Sequence, residues 1–261
     1  MPLIRPPAVA NHFYPGDVRE LTRMLDSFLA AVSPHAPPPK AIIVPHAGYR
    51  YSGAVAATAY ATLMPVRDQI TRVILMGPSH RVPLRGLATS DANDFQTPLG
   101  LVPLDRLAIE QALRLPQVVC LDEAHAQEHS LEVQLPFLQR VLTAFKLVPF
   151  VVGDASPESV AEVLKQLWGG AETLIVISTD LSHYEDYRTA QRHDAATSAA
   201  IESLRPQNIG VGDACGRNAL NGLLTLAKAD GLNVSLLDRR NSGDTAGAHD
   251  QVVGYGAYAL H

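Results

Sequence analysis

Three short stretches of this chain are apolar at every position: Ala41-Ile42-Ile43-Val44, Val73-Ile74-Leu75-Met76 and Leu174-Ile175-Val176-Ile177. A strand without polar alternation has no face for water, so it belongs in a parallel sheet covered on both sides by helices. Each stretch is soon followed by a histidine, His46, His80 and His183 respectively. Open α/β sheets gather ligands where the carboxyl ends of their strands meet, so these imidazoles are expected to share one crevice. Cys215 is a candidate to join them, because Asp213-Ala214-Cys215-Gly216-Arg217-Asn218 leads into the helix-like Ala219 to Ala229. Imidazole and thiolate together suit iron, copper or zinc.

The rest of the chain keeps the same rhythm. Pro15-Gly16-Asp17 precedes an amphipathic helix marked by Leu21, Met24, Leu25, Phe28 and Leu29. Ala54 to Leu63 reads as a tightly packed helix, Gly86 to Ser90 as a short strand, and Asp105 to Leu115 as a helix capped by Asp105. Leu131 to Phe145 is helix-like, with Pro136 starting, breaking or kinking it. The pattern then runs as strand Leu147 to Val152, helix Pro157 to Trp168, helix Thr189 to Leu204, and strands Val234 to Leu237 and Val252 to Leu260. Strands alternating with helices predict a single α/β domain over residues 1–261, with a mainly parallel central sheet and helices on both faces. The Pro-rich Ser33 to Pro39 reads as a connection rather than a domain boundary.

Composition excludes several function classes. A formal charge of −5 and the lack of any Lys/Arg cluster beyond Arg239-Arg240 argue against nucleic acid as a partner. No apolar run approaches the ~18 residues of a membrane span, and the start Met1-Pro2-Leu3-Ile4-Arg5-Pro6 lacks the apolar core of a signal peptide. A cytoplasmic location, with no membrane partner, is expected. The 2 cysteines make no disulfide framework. Cys120, within Val118-Val119-Cys120-Leu121, reads as a buried apolar residue, whereas the helix start ahead of Cys215 would favour its thiolate.

Each candidate has a plain alternative. His46, beside Gly48, Tyr49 and Tyr51, is either a ligand or a cap on loop backbone. His80 in Gly77-Pro78-Ser79-His80 has the same two readings, and recurrence after three strands favours the shared site. Asp180, ahead of His183, either orients an imidazole or binds metal, or is simply a turn residue. Asp122 to Glu132 is the densest polar cluster and offers His125, Glu128, His129 and Glu132. It supplies acid/base partners or is a solvated helix start, with His129 and Glu132 expected to face inward. His12, His35, His193, His249 and His261 have no comparable context.

Taken in order, these segments resemble the Memo family, whose bacterial members are called AmmeMemoRadiSam system protein B. The resemblance runs from Asn11-His12-Phe13-Tyr14-Pro15 through Pro45-His46-Ala47-Gly48-Tyr49, Tyr51-Ser52-Gly53 and Gly77-Pro78-Ser79-His80. It continues through Thr97-Pro98-Leu99-Gly100, Glu128-His129-Ser130-Leu131-Glu132, Leu135-Pro136-Phe137 and Asp180-Leu181-Ser182-His183 to Cys215-Gly216-Arg217 and Val252-Val253-Gly254-Tyr255. The resemblance implies a fold similar to class III extradiol ring-cleaving dioxygenases. It also implies metal ligation by His46, His80 and Cys215, with His129, Asp180 and His183 around the cavity. A thiolate replaces the carboxylate that completes the iron site of those dioxygenases, so their chemistry does not transfer from the fold alone.

Three functions follow as expectations. The first is an iron- or copper-dependent redox enzyme acting on a small molecule. In it His46, His80 and Cys215 hold the metal, with Fe(II) preferred over copper or zinc. His129, Asp180 or His183 moves protons, and Tyr49, Tyr51 and Arg217 position the substrate. The second is a non-catalytic metal- or peptide-binding adaptor, and the third a thiol hydrolase with Cys215 as nucleophile. A functional link to a radical enzyme is a further expectation.

Overall fold

The computed structural model describes residues 3–33 and 37–261. His35 and the middle of the Ser33 to Pro39 connection lie outside the described residues, as does Met1-Pro2. Among the described residues, nine strands form the main sheet. Its order is His183–Glu185, Val252–Leu260, Ala41–Val44, Thr173–Ser178, Arg72–Pro78, Lys146–Val152, Leu87–Thr89, Val118–Cys120, with Val234–Asn241 also paired to Val252–Leu260. The four strands from Ala41–Val44 to Lys146–Val152 are mutually parallel. Both flanks turn antiparallel, through Val252–Leu260 on one side and Leu87–Thr89 on the other. The sheet is therefore mixed, with a parallel centre and a further parallel pair, Leu87–Thr89 with Val118–Cys120, at one edge.

All residues of Ala41–Val44 and Thr173–Ser178 are buried, as expected of strands covered on both faces. Each fully buried Ile, Leu or Val contributes about 1.5–3 kcal/mol by leaving water, so these stretches anchor the fold. Their register sets Ile43 opposite Ile177 and Val44 opposite Ser178. Helix Arg217–Ala229 packs on strands Arg72–Pro78 and Thr173–Ser178, while helix Tyr49–Ala61 packs on Ala41–Val44 and Val252–Leu260. Asp17, Asp105, Ser156 and Asp186 cap their helices by accepting N–H bonds from the first turn.

Three local expectations need correction. Helix Tyr49–Ala61 begins directly after Gly48, earlier than the Ala-rich segment suggested, so only Pro45 to Gly48 separates it from its strand. Leu131 to Phe145 contains a single 3-10 turn, Glu132–Gln134, and a helix, Leu135–Val141, with Pro136 in the first turn where its missing N–H costs nothing. Cys120 is exposed, because Val118–Cys120 is an edge strand that turns only Val118 inward.

A small second sheet, Ile4–Arg5, Asp94–Thr97 and Gly100–Pro103, brings the N-terminal segment against Glu132. The buried Glu132 carboxylate pairs with Arg5 and accepts from Ala8 N, Val9 N and the Tyr14 hydroxyl. Among the described residues no helix is long and apolar enough to cross a membrane.

Candidate metal centre

His46 follows strand Ala41–Val44, His80 follows Arg72–Pro78, and Cys215 precedes helix Arg217–Ala229. Two glycines allow these segments to close together. A Cβ at Gly216 would lie 2.7 Å from Ser178 O, and one at Gly77 would lie 2.9 Å from Ser130 Oγ. Glycine thus seats the cysteine loop on one strand end and the Glu128–Leu131 loop on another. The nearest ligand atoms of His46, His80 and Cys215 all fall within 4.8 Å of one another. Cys215 Sγ is 3.2 Å from His46 Nε2, against about 3.5 Å for a sulfur and a nitrogen on one tetrahedral zinc.

The hydrogen-bond network decides which ring nitrogens are free. Ser178 Oγ has one proton and donates it to Ser130 O at 2.6 Å. Its lone pairs accept from Gln134 Nε2 at 2.8 Å and from His46 Nδ1 at 2.9 Å. The His46 proton is therefore on Nδ1, and its Nε2 lone pair faces Cys215. His80 Nδ1 lies 2.9 Å from Glu128 Oε1, which leaves His80 Nε2 for the cavity. His183 Nδ1 donates to Leu181 O at 2.8 Å, so its Nε2 is likewise an acceptor. The donor set fits a transition metal: two neutral imidazoles with directed lone pairs and one thiol.

Burial, with His80 and His129 adding to it, lowers the pKa of His46. Burial also brings His129 down to about 4 and lowers His183, so these rings are neutral at pH 7. Asp180 accepts His46 N at 2.8 Å, and burial pushes its carboxyl up to about 7. Its other oxygen is 3.9 Å from His46 Nε2. The expected thiolate at Cys215 is corrected: burial, then Asp180, pushes the thiol up to about 12. Gly216 rather than Cys215 stands at the helix N-terminus, and desolvation outweighs the bonds that Asp180 N and Thr179 Oγ1 offer the sulfur.

A cavity of about 610 Å³ opens over these groups, lined by His46, His80, His129, Asp180 and His183 together with Phe13, Tyr51, Tyr184 and Tyr255. Tyr184 is 71% exposed and has φ 60°, an uncommon backbone state for an aromatic residue. His129 stacks on His80 with ring centroids 4.7 Å apart. Two residues expected at the substrate lie elsewhere. Tyr49 is buried with its hydroxyl donating to Val133 O, and Arg217 is not among the lining residues. His125 is buried apart, with Nε2 donating to Ala88 O. Sequence reasoning missed Ser178 and Gln134, which act through the bonds just described; neither stands in a recognisable motif.

An α/β sheet with a histidine–cysteine centre at the carboxyl ends of its parallel strands defines the class. The sequence profile described as Memo-like protein matches residues 5–259. Similar relatives include MEMO1 family proteins of Thermoplasma volcanium, 34% identical over 97% of both chains, and of Aquifex aeolicus, 36% identical over 97% of both. Another, from Thermotoga maritima, is 36% identical over 96% of this chain and 97% of its own. The chain belongs to the Memo family.

Proposed function

We propose that the protein is a transition-metal-dependent redox enzyme acting on a small uncharged molecule in the cavity, with Fe(II) the first candidate, copper the second and zinc the third. The observation that carries the reading is the convergence of His46 Nε2, His80 Nε2 and Cys215 Sγ. Bound there, the metal supplies Lewis acidity and, for iron or copper, electron transfer. His183 Nε2 accepts a proton at the cavity wall, and the Asp180 carboxyl, bonded to His46 N, is the second proton-carrying group there. Tyr51, Tyr184 and Phe13 offer ring faces to the substrate. Among the described residues no lysine or arginine lines the cavity, which removes the usual recognition of phosphate or carboxylate.

Anaerobic purification with metal analysis tests this. Wild-type protein should carry stoichiometric metal that His46→Ala and Cys215→Ala lose. A wild-type chain that binds neither Fe(II) nor Cu(I) tightly refutes it.

A second reading, a peptide-binding adaptor, draws on the exposed Tyr184 ring at the rim and requires a partner whose binding survives loss of Cys215. The thiol-hydrolase reading is weakened by a thiol held protonated beside an imidazole of lowered pKa. A cytoplasmic location and a functional link to a radical enzyme complete the proposal, both resting on sequence.

A further inference from the structure

His80, Glu128 and His129 form a second group close enough by distance alone to hold an ion. The hydrogen bonds of Glu128 count against that role, because its Oε1 is already saturated by N–H donors. Its Oε1 accepts from His80 Nδ1, His129 N and Ser130 N, each at 2.9 Å, and its Oε2 accepts from His80 N at 2.6 Å. A carboxylate oxygen has two lone pairs, so the three N–H donors on Oε1 already exceed them, while Oε2 takes one donor. An ion shared by Glu128 Oε1, His80 Nδ1 and His129 would have to displace these donors.

The same bonds give Glu128 a different task. The His80 side chain is 29% exposed and lies beyond the end of its strand, so packing alone does not choose its tautomer. The bond made by one ring nitrogen sets the protonation of the other. A carboxylate can only accept, so the proton of a neutral His80 must sit on Nδ1 and the Nε2 lone pair must face Cys215 and His46. The His80 N bond to Oε2 fixes the backbone at the same time, so ring and main chain are gripped by one group.

We propose that Glu128 is the positioning residue that makes His80 a metal ligand, and that the chain holds a single metal rather than two. The inference rests on the metal reading above and extends it to a residue that does not touch the metal. Removal of a carboxylate that orients a ligating histidine costs about 10–100-fold in metal affinity.

Long-range ¹H–¹⁵N spectra of histidine-labelled, metal-free wild-type protein read the tautomer directly, and titration with Co(II) reads affinity and stoichiometry. The proposal expects His80 as the Nδ1–H form in wild type and loss of that preference in Glu128→Ala. Co(II) affinity should fall about 10–100-fold in the variant, with its fold checked by circular dichroism. A wild-type His80 carrying its proton on Nε2, or two Co(II) ions per wild-type chain, overturns the proposal even if the variant fails to fold. Undiminished Co(II) affinity in folded Glu128→Ala overturns it as well. Wild-type protein that takes up no Co(II) overturns the metal reading and this proposal together, and is distinguishable because the tautomer is read without metal.

Discussion

Cys215 Sγ and His46 Nε2 lie 3.2 Å apart, although the cysteine is recessed with its thiol pushed up to about 12 and Cys120 is the exposed cysteine. The cysteine open to reagents is thus not the one in the candidate metal centre. Iodoacetamide should modify Cys120 well before Cys215 in metal-free protein. Mass spectrometry of the partly alkylated chain checks this, and faster labelling of Cys215 would contradict the burial argument.

Ser178→Ala removes the acceptor for both His46 Nδ1 and Gln134 Nε2. Leaving such buried donors unpaired costs about 1–3 kcal/mol. Urea unfolding should show that loss, together with weaker Co(II) binding. Unchanged binding would mean that His46 keeps its tautomer without the serine.

Glu132→Ala strips the buried Arg5 guanidinium of its carboxylate and leaves Ala8 N, Val9 N and the Tyr14 hydroxyl without their acceptor. Breaking a buried ion pair from one side costs about 3–5 kcal/mol. Hydrogen exchange should quicken first near Ala8 and Val9, and an unaltered pattern there would deny Glu132 its role as anchor of the N-terminal segment.

His193 is held between Glu185 Oε1, 3.0 Å from Nδ1, and Asp213 Oδ1, 2.6 Å from Nε2. Both oxygens accept, so both ring nitrogens carry protons and the imidazolium is favoured. The bond to Asp213, aided by Glu185, raises the His193 pKa despite burial. A raised folded pKa adds stability in full below the unfolded value of about 6.5, and the contribution disappears as pH rises through the folded value. The stability gap between wild type and His193→Gln should therefore shrink as pH rises above the unfolded value of about 6.5, measured by urea unfolding. A constant gap would show that the charge is irrelevant.

Tyr184 at φ 60° is a site where glycine relieves strain worth about 1–2 kcal/mol. Tyr184→Gly should hold or raise the melting temperature while removing a ring from the cavity rim. A lower melting temperature would mean that the ring's contacts outweigh the strain.

The central strands and the gathering of His46, His80, His183 and Cys215 were legible because unbroken apolar runs allow little but buried strands. Their partners were not. Ser178 looks like any strand-end serine, and only the register that places it beside Val44 brings it near His46. Tyr49 neighbours His46 in sequence but not in the cavity, because the helix beginning at Tyr49 turns that ring into the core. His193 looked isolated because its carboxylates, Glu185 and Asp213, come from separate segments. The thiolate expected at Cys215 failed because a sequence shows a helix start but not how far water is excluded.

The pairing of Val44 with Ser178 carries one more implication. Side chains alternate along a strand, so a slip of one residue between Ala41–Val44 and Thr173–Ser178 would swing the serine to the opposite face. His46 would then lose its proton acceptor, and the donors would no longer converge. The candidate centre can therefore assemble only in chains whose central strands have locked in the correct alignment.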